Sequence, residues 1–429
     1  MRQVIELLRM ESRARVFFLA LAQSAIGTGA GYVALLLIAY ERYESAWAIT
    51  LILLADFLPA MLLGPVFGAV ADRWSRRGCM IVADLLRAAA FIAIALVDSY
   101  LATLALAVLA GVGTGLFTPA ALAALPSVAR PNHAPAATAL YGVTADIGFT
   151  VGPAIAAAGL LIASPADLTL INGLTFAISA VILIRLPFGA ISERAEASAS
   201  GALQLLREAR EGLRVLGKTP GVRAVIAGSS LALFFGGLFN VAELPFAKTE
   251  IGTSGTGFSV LVASFGVGFI AGSVSGSKGG SLRRLRRRFI LGLTLDGLGV
   301  LACAASPTMP VALFAFALAG LGNGMYIVHE RVFLQQSVPE RFLARAYGTK
   351  NALASWGFGV AFLVAGGLLV LIGARSVFWV AGAGILLVAG VTGIILEHAH
   401  RKADRYPVDR DRQGAVDNEA RGYVGAPTR

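Results

Sequence analysis

The sequence predicts an all-α polytopic membrane protein whose twelve transmembrane helices form two six-helix pseudo-repeats. Three observations carry this. Of 429 residues, 57% are hydrophobic and only 14% are charged, a balance that would coat a soluble domain in apolar surface. Apolar runs of about 20 residues, the length that crosses a bilayer, recur along the chain. Gly111-Val112-Gly113-Thr114-Gly115-Leu116-Phe117 in the fourth run returns as Gly320-Leu321-Gly322-Asn323-Gly324-Met325-Tyr326 in the tenth, so the chain repeats itself.

Met1 to Arg15 mixes charge with apolar residues and runs into the first span. It reads as an interfacial amphipathic helix with Val4, Leu7 and Leu8 on one side, and not as a cleavable signal peptide. The spans fall at roughly 16–40, 47–71, 79–97, 100–122, 136–163, 167–186, 222–247, 257–277, 288–305, 309–333, 346–372 and 376–397. Links on one side are very short: Asp98-Ser99, Ser164-Pro165-Ala166 and Ser306-Pro307-Thr308. Those on the other side carry the arginines, including Arg283, Arg284, Arg286, Arg287 and Arg288. The short-link side holds only Arg42, Lys248 and Arg375 as basic residues. The positive-inside rule then makes the arginine loops and both termini cytoplasmic, in the inner (plasma) membrane.

The expected organisation is a six-helix bundle over 1–186, a polar linker with an amphipathic helix over 187–221, a second bundle over 222–397 and a disordered cytoplasmic tail over 398–429. The net charge of +11 does not indicate nucleic acid, because the basic residues are sorted by loop and not gathered on one soluble face. Cys79 and Cys303 fall near opposite membrane faces, which excludes a disulfide between them.

The turn Gly68-Ala69-Val70-Ala71-Asp72-Arg73-Trp74-Ser75-Arg76-Arg77 places four charges in six residues between the second and third spans. Such a turn lies at the membrane surface. Gly68 allows close helix approach, Asp72 can accept from N–H groups at a helix start, and Arg73, Arg76 and Arg77 anchor the turn. The same residues would also serve as a plain positive-inside anchor. In span 5, Gly148-Phe149-Thr150-Val151-Gly152-Pro153-Ala154-Ile155-Ala156-Ala157 combines small residues with a proline that frees a backbone carbonyl and permits a kink.

These residues resemble the major facilitator superfamily. Gly-x-x-x-Asp-Arg-x-x-Arg-Arg is similar to its loop 2–3 signature. The span 5 run resembles the Gly-x-x-x-Gly-Pro-x-x-Gly-Gly motif of its antiporter-type exporters, with alanines for the last two glycines. Phe117-Thr118-Pro119-Ala120 with Leu125-Pro126, Asp84-Leu85-Leu86-Arg87, and Leu334-Gln335-Gln336-Ser337-Val338-Pro339-Glu340-Arg341 narrow the likeness to the branch of enterobactin exporters and macrolide-efflux proteins. The resemblance implies a proton-driven exporter with a central cavity between two halves, in which the Asp72 turn, Gly148, Gly152 and Pro153 take part in gating. The second half keeps an arginine-rich loop after Gly272-Ser273-Val274-Ser275-Gly276 but lacks the acidic residue.

A charge at mid-bilayer costs about 3 kcal/mol or more, so each is a functional candidate. Asp146 beside the span 5 kink and Asp56 in span 2 are the candidate proton carriers. Asp84 and Arg87, three apart on one face, form a structural pair that braces span 3 against the gate turn. Asp296 remains open between the two roles. Glu243, Lys248, Glu330 and Arg331 read as interfacial, and Lys350 as a partner for Asp72 or Glu340. His329, near a helix end, reads as a satisfied hydrogen-bonder. In the resembled family, spans 1, 4, 7 and 10 line the cavity. Gln23, Thr28, Phe117, Phe239, Asn240, Asn323 and Tyr326 are therefore the candidate substrate-binding residues, suited to a bulky amphipathic molecule or equally to gluing helices together.

Gly212-Leu213-Arg214-Val215-Leu216-Gly217-Lys218-Thr219 matches the phosphate-binding loop pattern, but no strand precedes it and Pro220-Gly221 interrupts the helix that should follow. With no ATPase machinery, metal-ligand cluster or nucleophile constellation, the expectation is no enzyme, no metal and no cofactor. The expected function is proton-coupled export of a small amphipathic compound (drug, macrolide-like or siderophore-like) by a functional monomer through alternating access. A proton-independent transporter of a lipid such as a lysophospholipid, or of another solute, is the first alternative; a non-transporting sensor or scaffold is the second.

Overall fold

The computed structural model describes residues 2–130, 133–186, 220–278, 280–338 and 340–405. Among them there is no strand. The helices are α1 (Arg2–Met10), α2 (Ser12–Tyr43), α3 (Ala46–Arg73), α4 (Arg76–Leu96), α5 (Tyr100–Val128), α6 (Ala134–Gly159), α7 (Pro165–Arg185), α8 (Pro220–Pro245), α9 (Gly255–Val274), α10 (Leu282–Ala305), α11 (Met309–Ser337) and α12 (Glu340–Arg405). A π-helical turn, Phe246–Glu250, prolongs α8, and a 3-10 turn, Ser275–Lys278, follows α9. Eleven of these helices are long and apolar enough to span a membrane. The last of them contains two crossings, because Gly373 interrupts it at φ 75°, ψ 165°. Only a residue without Cβ adopts that conformation at little cost. The limbs 340–372 and 374–405 correspond to the last two predicted spans.

Short links are set by serine. Ser99 and Ser254 cap α5 and α9, accepting from Ala102 and Gly257 N–H. Ser164 and Asp167 form a reciprocal capping box at α7. Each satisfies helix-end donors that hydrocarbon could not. Arg42 clamps the α4–α5 link through the Val97 carbonyl, and Arg375 clamps the α10–α11 link through the Ala304 and Ser306 carbonyls at 2.9 and 3.3 Å.

Helix α5 runs on to Val128, beyond the expected boundary near 122, with Pro119 and Pro126 inside it. The Phe117-Thr118-Pro119 landmark therefore lies within the helix and not at its end. Helix α1 does more than lie on a surface: Leu7 is wholly buried in the cluster that contains Phe17, Met80, Leu125 and Leu183. Most of the 187–221 linker, with the Gly212–Thr219 motif, lies outside the described residues, as does the tail from 406.

Helices α2–α7 pack on one another, and so do α8–α12. The repeated glycines show how. A Cβ on Gly111 would stand 2.1 Å from the Asp56 carbonyl oxygen of α3, and one on Gly113 2.8 Å from the Ala83 oxygen of α4. In the other half, a Cβ on Gly320 would stand 1.9 Å from the Phe265 oxygen of α9, and one on Gly322 2.1 Å from the Asp296 nitrogen of α10. Helix α5 seats itself between α3 and α4 as α11 does between α9 and α10.

The halves meet from mid-membrane to the end opposite the arginine loops. Tyr32 bonds to Glu243 at 2.9 Å, Lys248 pairs with Glu41 at 3.2 Å, and Phe57 packs on Phe358 at 5.4 Å. Thr150 donates to the Gly266 carbonyl at 3.2 Å, nearer the middle. At the arginine-rich end a Cβ on Gly68 would meet nothing within 4 Å. The close approach expected at Gly68 is not made among the described residues.

Gly320→Ala is expected to lower the thermal unfolding temperature of the detergent-solubilised protein by an overpacking penalty of about 1–3 kcal/mol. Gly68→Ala should leave it unchanged.

Candidate functional site

Two cavities flank the plane between the halves. The first, about 340 Å³, belongs to the first half. Ser24, Thr28 and Tyr32 of α2, Arg87 of α4, Phe117 and Thr118 of α5, and Tyr141, Thr144 and Phe149 of α6 line it. Of the predicted contacts Thr28 and Phe117 are here. Gln23 is not: its amide donates to the Thr175 carbonyl at 2.9 Å and the Ala20 carbonyl at 3.1 Å, so it ties α2 to α7.

Arg87 is buried, hydrogen-bonded to the fully buried Asp84. Its guanidinium lies over the Phe117 ring at 4.3 Å and the Phe176 ring at 4.2 Å, a desolvated setting in which cation–π attraction is strong. The predicted pair exists; among the described residues it braces α4 against α5 and α7, and no contact with the turn at 68–77 is made. Asp56 interacts electrostatically with Arg87.

The second cavity, about 210 Å³, belongs mainly to the other half. Phe239 and Asn240 of α8, Phe265 and Phe269 of α9, Asp296 of α10, Asn323 and Tyr326 of α11, and Phe358 of α12 line it, with Phe149 reaching across from α6. All four predicted contacts from this half meet here. Asp296 is 3% exposed and accepts from Asn323 Nδ2 at 3.3 Å. Among the described residues no ion pair involves it. Its position was legible in the repeat: Gly113 abuts Arg87, and Gly322 abuts Asp296.

Two acids read as interfacial are buried. Glu243 is 4% exposed and accepts from the Tyr32 hydroxyl across the halves. Helix α8 continues through a π turn to Glu250, which draws Glu243 inside. Glu330 is 1% exposed; Ser229 donates to it at 2.6 Å and Lys350 pairs with it at 3.2 Å. Lys350 therefore serves Glu330; the side chains of Asp72 and Glu340, its expected partners, lie outside the described residues. His329 is buried, its Nδ1 2.7 Å from the Met325 carbonyl, but it is only half satisfied, because its Nε2 is buried without a hydrogen-bond partner among the described residues. Asp146 is half-buried on α6 and lines neither cavity.

The span 5 glycines press α6 onto α2. A Cβ on Gly148 would stand 2.5 Å from the Ala25 carbonyl, and one on Gly152 2.6 Å from the Ala30 nitrogen. Pro153 sits within an unbroken α6. In the turn between α3 and α4, Ser75 caps α4, Arg73 is exposed, Arg76 donates to the Ala123 carbonyl at 2.7 Å and Arg77 to that of Leu183 at 2.8 Å. The Asp72 side chain lies outside the described residues.

Residues 9–424 match the transmembrane secretion effector family of the major facilitator superfamily. The chain belongs to this family. It is 24% identical over 374 residues to macrolide efflux protein A of Streptococcus pyogenes, covering 83% of this chain and 89% of that one. It is 26% identical over 412 residues to the multidrug efflux pump Tap of Mycolicibacterium fortuitum, covering 89% and 94%. A solved structure of a bacterial homolog of the human lysosomal transporter Spinster, inward-facing and unoccupied, superposes with a TM-score of 0.63 at 15% identity, covering 90% of this chain and 95% of that one. The protein is a multi-pass transporter of the macrolide-efflux branch.

Removing one partner of a buried pair strands the other charge. Arg87→Gln is expected to destabilise this transporter by about 3–5 kcal/mol. The double variant Asp84→Asn/Arg87→Gln should recover most of that, as thermal unfolding of the purified proteins will measure.

Proposed function

We propose that this transporter exports a small amphipathic compound in exchange for protons, by alternating access, as a monomer in the inner (plasma) membrane with both termini and the arginine loops in the cytoplasm. The observation that carries the reading is the pair of cavities beside the plane between the halves, with side-chain contacts joining the halves from mid-membrane to the end opposite the arginine loops. In the proposed orientation the joined end faces away from the cytoplasm. The positive-inside distribution of arginine supports that orientation, and the efflux relatives support the direction of transport.

The substrate lies between the two cavities. Thr28 and Phe117 would contact it from one half, and Phe239, Asn240, Asn323 and Tyr326 from the other. The buried Asp296 carboxylate, without a counter-charge among the described residues and set among aromatic rings, favours a molecule carrying an amine, through ion pairing and cation–π attraction. Macrolide-like and other lipophilic drugs with an amine fit this better than an acidic siderophore-like compound.

Export requires the joined end to open and the cytoplasmic end to close behind the substrate. Tyr32–Glu243 bridges the halves at the joined end, so Glu243 joins Asp146 and Asp56 as a candidate proton carrier. The Asp72 turn, with Arg73, Arg76 and Arg77, would hold the cytoplasmic end once it closes, while the tight α2–α6 contact at Gly148 and Gly152 carries the movement past Pro153. Proton and substrate shift this equilibrium only by binding one arrangement more tightly than the other.

Uptake of a lipophilic amine dye and of a macrolide by everted vesicles tests the reading. Wild type should accumulate both only under an imposed proton gradient. Neutralising the carrier, in Asp56→Asn, Asp146→Asn or Glu243→Gln, should cut gradient-driven uptake about tenfold or more, the effect of ~1.4 kcal/mol. Asp72→Asn should slow transport with or without a gradient. Full gradient-driven uptake in all three carrier variants would overturn the assignment of the proton to these acids, and accumulation without a gradient would overturn coupling itself.

A further inference from the structure

A third cavity, about 240 Å³, lies away from the cleft, between α10 and the second limb of α12 at the arginine-rich end. We propose that it binds one anionic phospholipid, with the phosphate headgroup on the arginines of α10 and an acyl chain in the groove below.

The arginines form a stripe. Arg283, Arg286 and Arg287 share one face of α10, with Ile290 one turn further into the membrane. The opposite wall is Gly393, Leu396 and Glu397 of α12. Three guanidinium groups face one carboxylate, so the mouth keeps a net positive charge. Arg283 and Arg287 are exposed, whereas Arg286 is half-buried, its guanidinium 5.5 Å from the Phe333 ring. Neighbouring Arg288 is used differently, donating to the Ser275 carbonyl at 3.3 Å. Simple anchoring would be served by arginines pointing in any direction. Here three converge on one concavity.

The groove continues as an acyl site should. A Cβ on Gly393 would meet only Ile290, at 3.7 Å, and one on Gly390 nothing within 4 Å. The absent Gly393 side chain leaves a channel beside Ile290, and Gly390 continues it on the exposed face of α12. Beside it Val391 and Ile394 of α12 are 48% and 61% exposed, and Leu291 of α10 is 48% exposed, so the channel opens onto lipid-facing surface. A basic pocket between helices at the membrane surface, floored by apolar side chains, matches a diacyl anion such as phosphatidylglycerol or cardiolipin. A soluble phosphate would use the arginines but gain nothing from the channel.

The test uses purified, delipidated full-length protein in detergent. Thermal stabilisation is titrated with phosphatidylglycerol, with phosphatidylcholine of the same acyl chains, and with inorganic phosphate. Phosphatidylglycerol should stabilise saturably, well below the concentration at which phosphatidylcholine or inorganic phosphate acts. Arg283→Gln/Arg287→Gln spares the arginine stacked on Phe333 and should weaken the half-saturation concentration about tenfold or more, while Arg283→Lys/Arg287→Lys retains most of the affinity. Gly393→Leu, which fills the channel without touching charge, should also weaken it, and gives a second route should the glutamine variant fail to fold. Equal stabilisation by phosphatidylcholine, equal potency of inorganic phosphate, or unchanged titration in both the glutamine and leucine variants would overturn the proposal.

Discussion

In hydrocarbon, two helices gain nothing by hiding apolar side chains from a solvent that is itself apolar. What holds them is the closeness of their atoms and the hydrogen bonds between them. This protein meets that constraint with glycine at the two central helices. Gly111 and Gly113 bring α5 against the backbones of α3 and α4, and Gly320 and Gly322 do the same for α11 with α9 and α10. Side chains on the flanking helices then have fixed directions, and both cavities are consequences of that seating.

The same seating places a charged residue of opposite sign in each half. Gly113 abuts Arg87 and Gly322 abuts Asp296. In one half the charge is paired and stacked between two phenyl rings. In the other it stands in an aromatic cavity with an asparagine for company. Symmetry of backbone with asymmetry of charge gives the cleft one wall whose charges are met within the protein and one wall whose charge is open to a ligand.

Joining the halves is a different problem from building each one. Within a half the contacts are backbone to backbone and rigid. Between halves, beyond the mid-membrane contacts of Thr150 and Phe149, they are side chains that can part: Tyr32 with Glu243, Lys248 with Glu41, and Phe57 with Phe358. Such contacts break without disturbing either bundle, as a hinge between rigid bodies requires. Arg42 and Arg375 sit outside this joint, each clamping a link within its own half.

The sequence by itself determined the helices, their number and the repeat, because crossing a bilayer demands apolar runs of fixed length and because glycine spacing survives in plain text. It also determined the residues of the second cavity, since Phe239, Asn240, Asn323 and Tyr326 lie on helices whose inward faces the resemblance supplied, and the Asp84–Arg87 pair, since three residues on a helix are neighbours in space. Burial was another matter. Glu243 and Glu330 stand near helix ends along the chain, and only a π turn beyond one and a lysine from α12 beside the other show that both are inside. Gln23 had the right spacing for the cavity, yet its amide is spent on α7. Lys350 found Glu330 because α12 crosses α11 there. Depth, partner and facing are properties of several helices at once, so tertiary structure alone decided them.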